Sequence, residues 1–263
     1  LGIILFIFRA ILLIVHIILG LILAGLFYPI LKQQYRDSIT NGWSKILLKI
    51  CGVTLRIKGN PVKDNAIMWV GNHVSWIDIF AYNSVRTTYF IAKKEIQSWP
   101  IVGKLVAWVG TVFIDRGHRQ AIKQVSSEIN RLYEQRACVG LFPEGTTSNG
   151  YGVKPFFSSL LEVNLVHRIP LQPVAIMFYH REKRSDKFAF VGEQNLVQNL
   201  YILLKTWNVV IELVFLEPIA DFPEQMTRLE LAEIVRYRLE KEVYVEGVSP
   251  ETHPPSVDTP PSA

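Results

Sequence analysis

The start of this chain is almost free of charge. Arg9 is the only Asp, Glu, Lys or Arg before Lys32, although the 263 residues carry 28 basic and 23 acidic side chains. From Ala10 to Leu31 the run is apolar apart from His16. A spanning helix needs roughly 20 apolar residues, so this run is long enough to cross a bilayer. A secretory signal has a shorter apolar core, about 7–15 residues, and then a small-residue cleavage site. Phe27-Tyr28-Pro29-Ile30-Leu31 offers no such site. Tyr28 suits a membrane interface. Arg9 precedes the run and Lys32 and Arg36 follow it, so charge does not set an orientation. The expected element is a retained membrane helix, spanning or half-immersed. A buried core helix satisfies the same length.

The residues that follow read differently. Trp43, Ile46, Leu47 and Ile50 recur at helical spacing within residues 36–51, with Lys45 and Lys49 elsewhere on the surface. This predicts an amphipathic helix, either packed on the body or lying at the membrane with its lysines on anionic lipid. Strands are predicted over Cys51–Lys58, Ala66–Val70, Thr87–Ala92, Thr111–Ile114, Val139–Phe142, Leu171–Phe178 and Val209–Phe215. Helices are predicted over Ile101–Val109, Arg119–Gln135 (Ile122, Val125, Ile129 and Leu132 on one side) and Glu224–Glu242. This alternation predicts an α/β fold: a mixed, largely parallel sheet flanked by helices, preceded by the membrane helix and the amphipathic helix. Ser249–Ala263 is Pro-rich and unpatterned, a disordered tail. Three parts result: 1–50, membrane-associating helices; 51–245, the globular domain; 246–263, the tail.

Composition removes several function classes. Hydrophobic residues at 49% exclude a disordered chain, and two cysteines exclude a disulfide scaffold or a Cys-rich zinc module. There is no G-x-S-x-G, phosphate-loop lysine, H-E-x-x-H or G-x-G-x-x-G motif. The net charge of +5 has no interleaved aromatic-basic stripe, so a membrane surface or an acidic partner fits better than nucleic acid.

The candidate chemistry lies in four segments. In Asn72-His73-Val74-Ser75-Trp76-Ile77-Asp78, Ser75 and Asp78 form a capping-box-like helix start, with Ser75 expected as the N-cap. His73 would sit just outside, in the strand-to-helix loop, where Asp78 can reach back and orient the imidazole. A positioned histidine can take a proton from a hydroxyl. On spacing alone, a surface histidine beside a capping Asp is the more ordinary reading. Phe142-Pro143-Glu144-Gly145-Thr146-Thr147-Ser148 is a turn followed by three hydroxyls, and alone it is an ordinary polar turn. Arg116 closes Gly110–Arg116 after a short apolar strand, where it can clamp an anion or pair with Asp115. Ile169-Pro170-Leu171-Gln172-Pro173-Val174 is a strand entered through prolines.

In this order, NHVSWID, GTVFIDR, FPEGTTS and IPLQPV resemble the four blocks of the glycerolipid acyltransferase family, the 1-acylglycerol-3-phosphate O-acyltransferases and related lysophospholipid acyltransferases. The resemblance covers about residues 50–220. It implies His73 as general base and Asp78 as its orienting partner. It also implies Arg116, Glu144, Gly145 and Thr146 as the acceptor head-group site, with Thr147 in the same block and Pro170 in a donor-binding or structural role. Lys154 is a further candidate cation there, or a solvated lysine. The implied reaction moves an acyl group from acyl-CoA or acyl-carrier protein to the free hydroxyl of a lysolipid, 1-acylglycerol-3-phosphate first, with no metal and no cofactor. One position departs from the pattern. Acyltransferases for lysophosphatidic acid typically carry Arg after Glu-Gly-Thr, and Thr147 stands there. A hydroxyl cannot reproduce a guanidinium's bidentate phosphate contact. The Thr form followed by Lys154-Pro155-Phe156-Phe157 is also similar to acyltransferases for lyso-ornithine lipid or other lysolipids, and the non-enzyme alternative is a membrane-tethered lipid-binding protein without turnover. Cys51 and Cys138 are expected as thiols, which places the active site on the cytoplasmic side of a bacterial inner membrane.

Overall fold

The computed structural model describes residues 2–98, 103, 107, 111–114 and 119–246. Most of the helix expected over Ile101–Val109, Arg116 with its neighbour Asp115, and the tail over Ser249–Ala263 lie outside the described residues.

Eight strands form one mixed sheet: β1 (Val53–Gly59), β2 (Ile67–Gly71), β3 (Thr88–Lys93), β4 (Val112–Ile114), β5 (Cys138–Leu141), β6 (Leu171–His180), β7 (Lys183–Arg184) and β8 (Val209–Phe215). The order is β1-β8-β6-β2-β5-β3-β4, with β7 a short antiparallel extension of β6. β2 to β6 run parallel to one another, β8 runs antiparallel to β6, and β1 runs parallel to β8. The C-terminal ends of β2, β3, β4 and β5 therefore share one edge.

Helices cover both faces. Successive β2 residues serve opposite sides, as a strand's period of two requires. Met68 and Val70 pack with α5 (Arg119–Glu134) and α8 (Arg228–Val243), whereas Ile67 and Trp69 pack with α2 (Gln33–Ile50), α3 (Asp78–Val85) and α7 (Leu196–Leu204). Burial on both faces explains why β2 and β5 read as continuous apolar runs, and why β8 does so apart from Glu212, which is paired with Arg56, Lys58 and Tyr179. Of the stripe expected on α5, Val125, Ile129 and Leu132 are buried. α4 (Lys94–Gln97) and α6 (Glu162–His167) are single short turns.

α1 (Gly2–Ile22) starts upstream of the expected Ala10. The reason is that Arg9 is accommodated by the body: its guanidinium donates to the carbonyls of Leu204 (3.1 Å) and Thr206 (2.7 Å) and lies over Trp207. Gly52 makes room for it, since a Cβ there would overlap the guanidinium. Arg9, Leu13, His16 and Gly20 form the buried stripe. His16 Nε2 meets the Trp43 carbonyl at 3.0 Å, Trp43 Nε1 donates to the His16 carbonyl at 3.2 Å, and the two rings stack. Ile3, Ile7, Phe8, Ile11, Ile14 and Ile18 face outward. The helix is thus docked along one flank, so the reading as a buried core helix is set aside. It continues through turns to Ile30, and Pro29, lacking an N–H, cannot extend the α ladder. The stretch Gly2–Ile30 is long and apolar enough to cross a membrane.

α2 departs from its expected face. Leu47 is buried as foreseen, but Ile46 is exposed, and Thr40, Ser44 and Leu48 complete the buried side. The helix lies between α1 and α3, and small polar residues permit that close approach: Asn41 donates to the Asn83 carbonyl on α3.

Candidate active site

β2 ends at Gly71, and Asn72 and His73 follow at the shared edge of the sheet. Asn72 is fully buried. Its side chain donates to the Ile176 carbonyl (3.0 Å) and accepts from the Ile176 N–H (2.8 Å), extending the β2–β6 pairing by one residue. This anchors the chain immediately before His73.

His73 Nδ1 lies 2.9 Å from Asp78 Oδ2. A carboxylate accepts, so Nδ1 carries the proton and Nε2 holds the lone pair. Among the described residues Nε2 has no hydrogen-bond partner, and the His73 side chain is 18% exposed while that of Asp78 is 0% exposed. Asp78 Oδ2 also accepts from the N–H groups of Val74 (2.7 Å) and Ser75 (2.9 Å). The carboxylate therefore closes its own loop and fixes the imidazole. Here the expectation for Ser75 is corrected. Ile77 occupies the N-cap position, and the Ser75 hydroxyl, though buried, has no partner among the described residues. Asp78 supplies the reaching-back half of a capping box, and the reciprocal serine bond is missing.

The segment after β5 meets this loop. Pro143 and Glu144 form a turn closed by the Gly145 N–H on the Phe142 carbonyl (3.1 Å), and Gly145 takes a left-handed φ of 70° that suits glycine. The Phe142 ring stacks on His73. The Ser148 N–H donates to the His73 carbonyl at 2.8 Å. Glu144 is buried: Oε1 accepts from the His73 N–H (2.9 Å) and Oε2 from the Lys154 N–H (3.1 Å). Burial pushes its carboxyl up to about 8, against the opposing pull of those two N–H donors. Thr146 is exposed and Gly145 half-buried. The Thr147 hydroxyl donates to the Phe190 carbonyl, while the Thr147 carbonyl accepts from Lys154 Nζ at 2.8 Å.

His73, Asp78, Glu144, Gly145, Thr146, Thr147 and Lys154 are thus brought together at one edge. Pro170 is not. It precedes β6 at the opposite edge, where its carbonyl accepts from the Met68 N–H. Arg116 lies outside the described residues; β4, two residues before it, ends at the active edge. Sequence reasoning quoted Asn72, Phe142 and Ser148 within its motifs but gave them no role. An Asn at a strand end and an aromatic opening a turn carry no chemistry until the partner strand and the imidazole are in place.

Comparison with known proteins agrees with this geometry. The acyltransferase family model matches residues 53–177. A lyso-ornithine lipid O-acyltransferase from Pseudomonas aeruginosa is 32% identical over 198 residues, covering 75% of each chain. A 1-acyl-sn-glycerol-3-phosphate acyltransferase from Neisseria gonorrhoeae is 32% identical over 171 residues, covering 65% of this chain and 67% of its own. The crystal structure of the 1-acyl-sn-glycerophosphate acyltransferase PlsC from Thermotoga maritima shares the fold, with TM-score 0.68 at 20% identity over 92% of this chain and 94% of that one. The chain belongs to the acyltransferase family.

Proposed function

We propose that this protein is a membrane-associated lysolipid O-acyltransferase in which His73 is the general base. The observation that carries the reading is the fixed imidazole: Nδ1 held by Asp78 at 2.9 Å, with Nε2 unpartnered among the described residues at the active edge. Nε2 takes the proton from the acceptor hydroxyl as its oxygen attacks the carbonyl carbon of an acyl thioester, acyl-CoA or acyl-carrier protein. The C–O bond forms, the tetrahedral oxyanion collapses, the C–S bond breaks, and the imidazolium returns its proton to the departing thiolate. Buried Asp78 stabilises the imidazolium between the two steps. Gly145, Thr146 and Thr147 lie against the head group, with Lys154 and Arg116 supplying positive charge. Residues 1–50 form the membrane-associating part and 51–245 the acyltransferase domain. The outward apolar face of α1 keeps the acyl chain of the acceptor in lipid while its hydroxyl enters the site. Two buried thiols, Cys51 and Cys138, support a site on the cytoplasmic side of a bacterial inner membrane.

The first acceptor in this reading is 1-acylglycerol-3-phosphate, as in the Neisseria relative. A second reading, lyso-ornithine lipid, is favoured by one observation: the Thr147 hydroxyl is engaged with Phe190 and is not aimed as a phosphate clamp. The test is acyl transfer by the purified full chain in detergent or lipid. Labelled acyl-CoA and acyl-carrier protein are each offered with lysophosphatidic acid, lyso-ornithine lipid and lysophosphatidylcholine, with His73→Ala as the blank. His73-dependent product identifies the acceptor. Transfer that survives His73→Ala defeats the mechanism, and no product with any pair supports lipid binding without turnover.

A further inference from the structure

The residue proposed as the base is held by its backbone as well as by its ring. The His73 N–H ends on Glu144 Oε1 at 2.9 Å, and its carbonyl receives the Ser148 N–H at 2.8 Å. Both partners belong to the turn after β5, the segment that sequence reasoning assigned to the acceptor's head group. Glu144 is 3% exposed, and its second oxygen is taken by the Lys154 N–H at 3.1 Å. Each carboxyl oxygen is thus spent on a main-chain donor, one from the loop after β2 and one from the stretch after Gly150. A head group approaching the exposed Thr146 would meet a carboxyl already committed on both sides.

We propose that Glu144 is a positioning residue: its carboxyl ties the backbone of the His73 loop to that of the Lys154 segment and sets the height of the imidazole, without touching the acceptor. The inference rests on His73 being the base. Its chemistry is specific to a carboxyl group. Two N–H donors approach two different oxygens, and an amide of the same shape offers one acceptor oxygen and one N–H₂. Glu144→Gln must therefore leave a main-chain N–H facing another donor in a buried site, an unmade bond that the structure can relieve only by moving the loop. Burial raises this carboxyl to about 8, against the opposing pull of the same two N–H donors. A misplacement of about 1 Å at a reacting group can cost about 10²-fold in rate.

The test is steady-state kinetics of Glu144→Gln in the whole chain, with lysophosphatidic acid and with lyso-ornithine lipid as acceptor, varying acceptor and donor separately. A kcat lower by about 10- to 100-fold, with both KM values within about twofold of wild type, is the expected result. A rise of about tenfold or more in acceptor KM at unchanged kcat would make Glu144 a head-group contact and overturn the proposal. Unchanged kcat and KM would overturn it as well. Should the Gln variant not fold, Glu144→Asp, which keeps both oxygens on a shorter arm, is measured in its place and must show the same loss in kcat with acceptor KM retained. His73→Ala separates the two levels of inference. If it retains turnover, the base itself is misassigned. If it is inactive while Glu144→Gln alters acceptor KM alone, the base stands and the positioning role fails.

Discussion

Phe142 lies flat on His73: the two ring planes are parallel at 0° and their centroids are 4.2 Å apart. The phenyl face blocks one side of the imidazole while the Asp78 bond fixes its edge. Stacked aromatic pairs contribute about 0.5–1.5 kcal/mol beyond buried area. Phe142→Leu keeps most of the volume and removes the stack, so kcat is expected to fall by about threefold to tenfold with the fold unchanged. Turnover equal to wild type would mean that Asp78 alone holds the ring.

Asp78→Asn replaces a carboxylate oxygen that accepts from three donors, the His73 ring and the N–H groups of Val74 and Ser75. The amide oxygen can still accept from all three, but its N–H₂ takes the place of Oδ1, a buried atom with no hydrogen-bond partner among the described residues, and the amide can no longer balance an imidazolium. A loss of about 10²–10⁴ in kcat is expected, with acceptor KM little changed. A loss confined to KM would show that Asp78 serves binding.

Glu144 links stability to pH in a defined direction. Its folded value is about 8 against an ordinary 4.5. Between those limits the folded chain retains a proton that the unfolded chain has released, so unfolding free energy falls as pH rises through the window. Glu144→Gln lacks this dependence. Melting curves of both proteins from about pH 5 to pH 8.5 should show the stability of wild type declining relative to the variant. Parallel curves would count against a carboxyl that is neutral in the folded state at low pH.

A side chain at Gly20 tests the docking of α1. An added Cβ would lie 2.6 Å from the Trp43 indole nitrogen, so Gly20→Ile must push α1 off α2 or displace the indole. The His16–Trp43 bond pair should break, and proteolysis within residues 23–32 should become faster in detergent. Wild-type protection would show that α1 is held chiefly through Arg9.

The seven expected strands were legible because both faces of the sheet are covered, and β8 lies over Val209–Phe215, apolar except for Glu212; β7, α6 and α7 were not expected. The His73–Asp78 pair was legible from spacing and resemblance. Three features were not. Ser75 looks like a cap, yet its hydroxyl has no partner among the described residues, because Asp78 answers to the His73 loop. α3 and α7 carry buried polar residues, Asn83 and Asn199: the Asn83 side chain accepts from the Thr88 N–H and its main-chain carbonyl from Asn41, 42 positions away. Asn199 accepts from the Trp76 indole 123 positions away, a relationship no local pattern encodes. Glu144 sits in an exposed-looking turn motif, and only the folded arrangement shows both oxygens turned inward.

Arg9 fixes where a waterline can run on this molecule. Its guanidinium is tethered to the carbonyls of Leu204 and Thr206, so the first turns of α1 cannot rise away from the body without stripping those bonds. An arginine carried alone to the centre of a bilayer costs at least about 2.5–3.5 kcal/mol. Lipid that meets the chain in this conformation therefore meets α1 along its flank, from Ile3 to Ile18, like water along a hull. On the proposed membrane-associated reading the helix would act as a keel that sets draught: the body would float at a depth decided by which side of α1 is apolar, and the number of apolar residues in α1 would set only how far the keel extends.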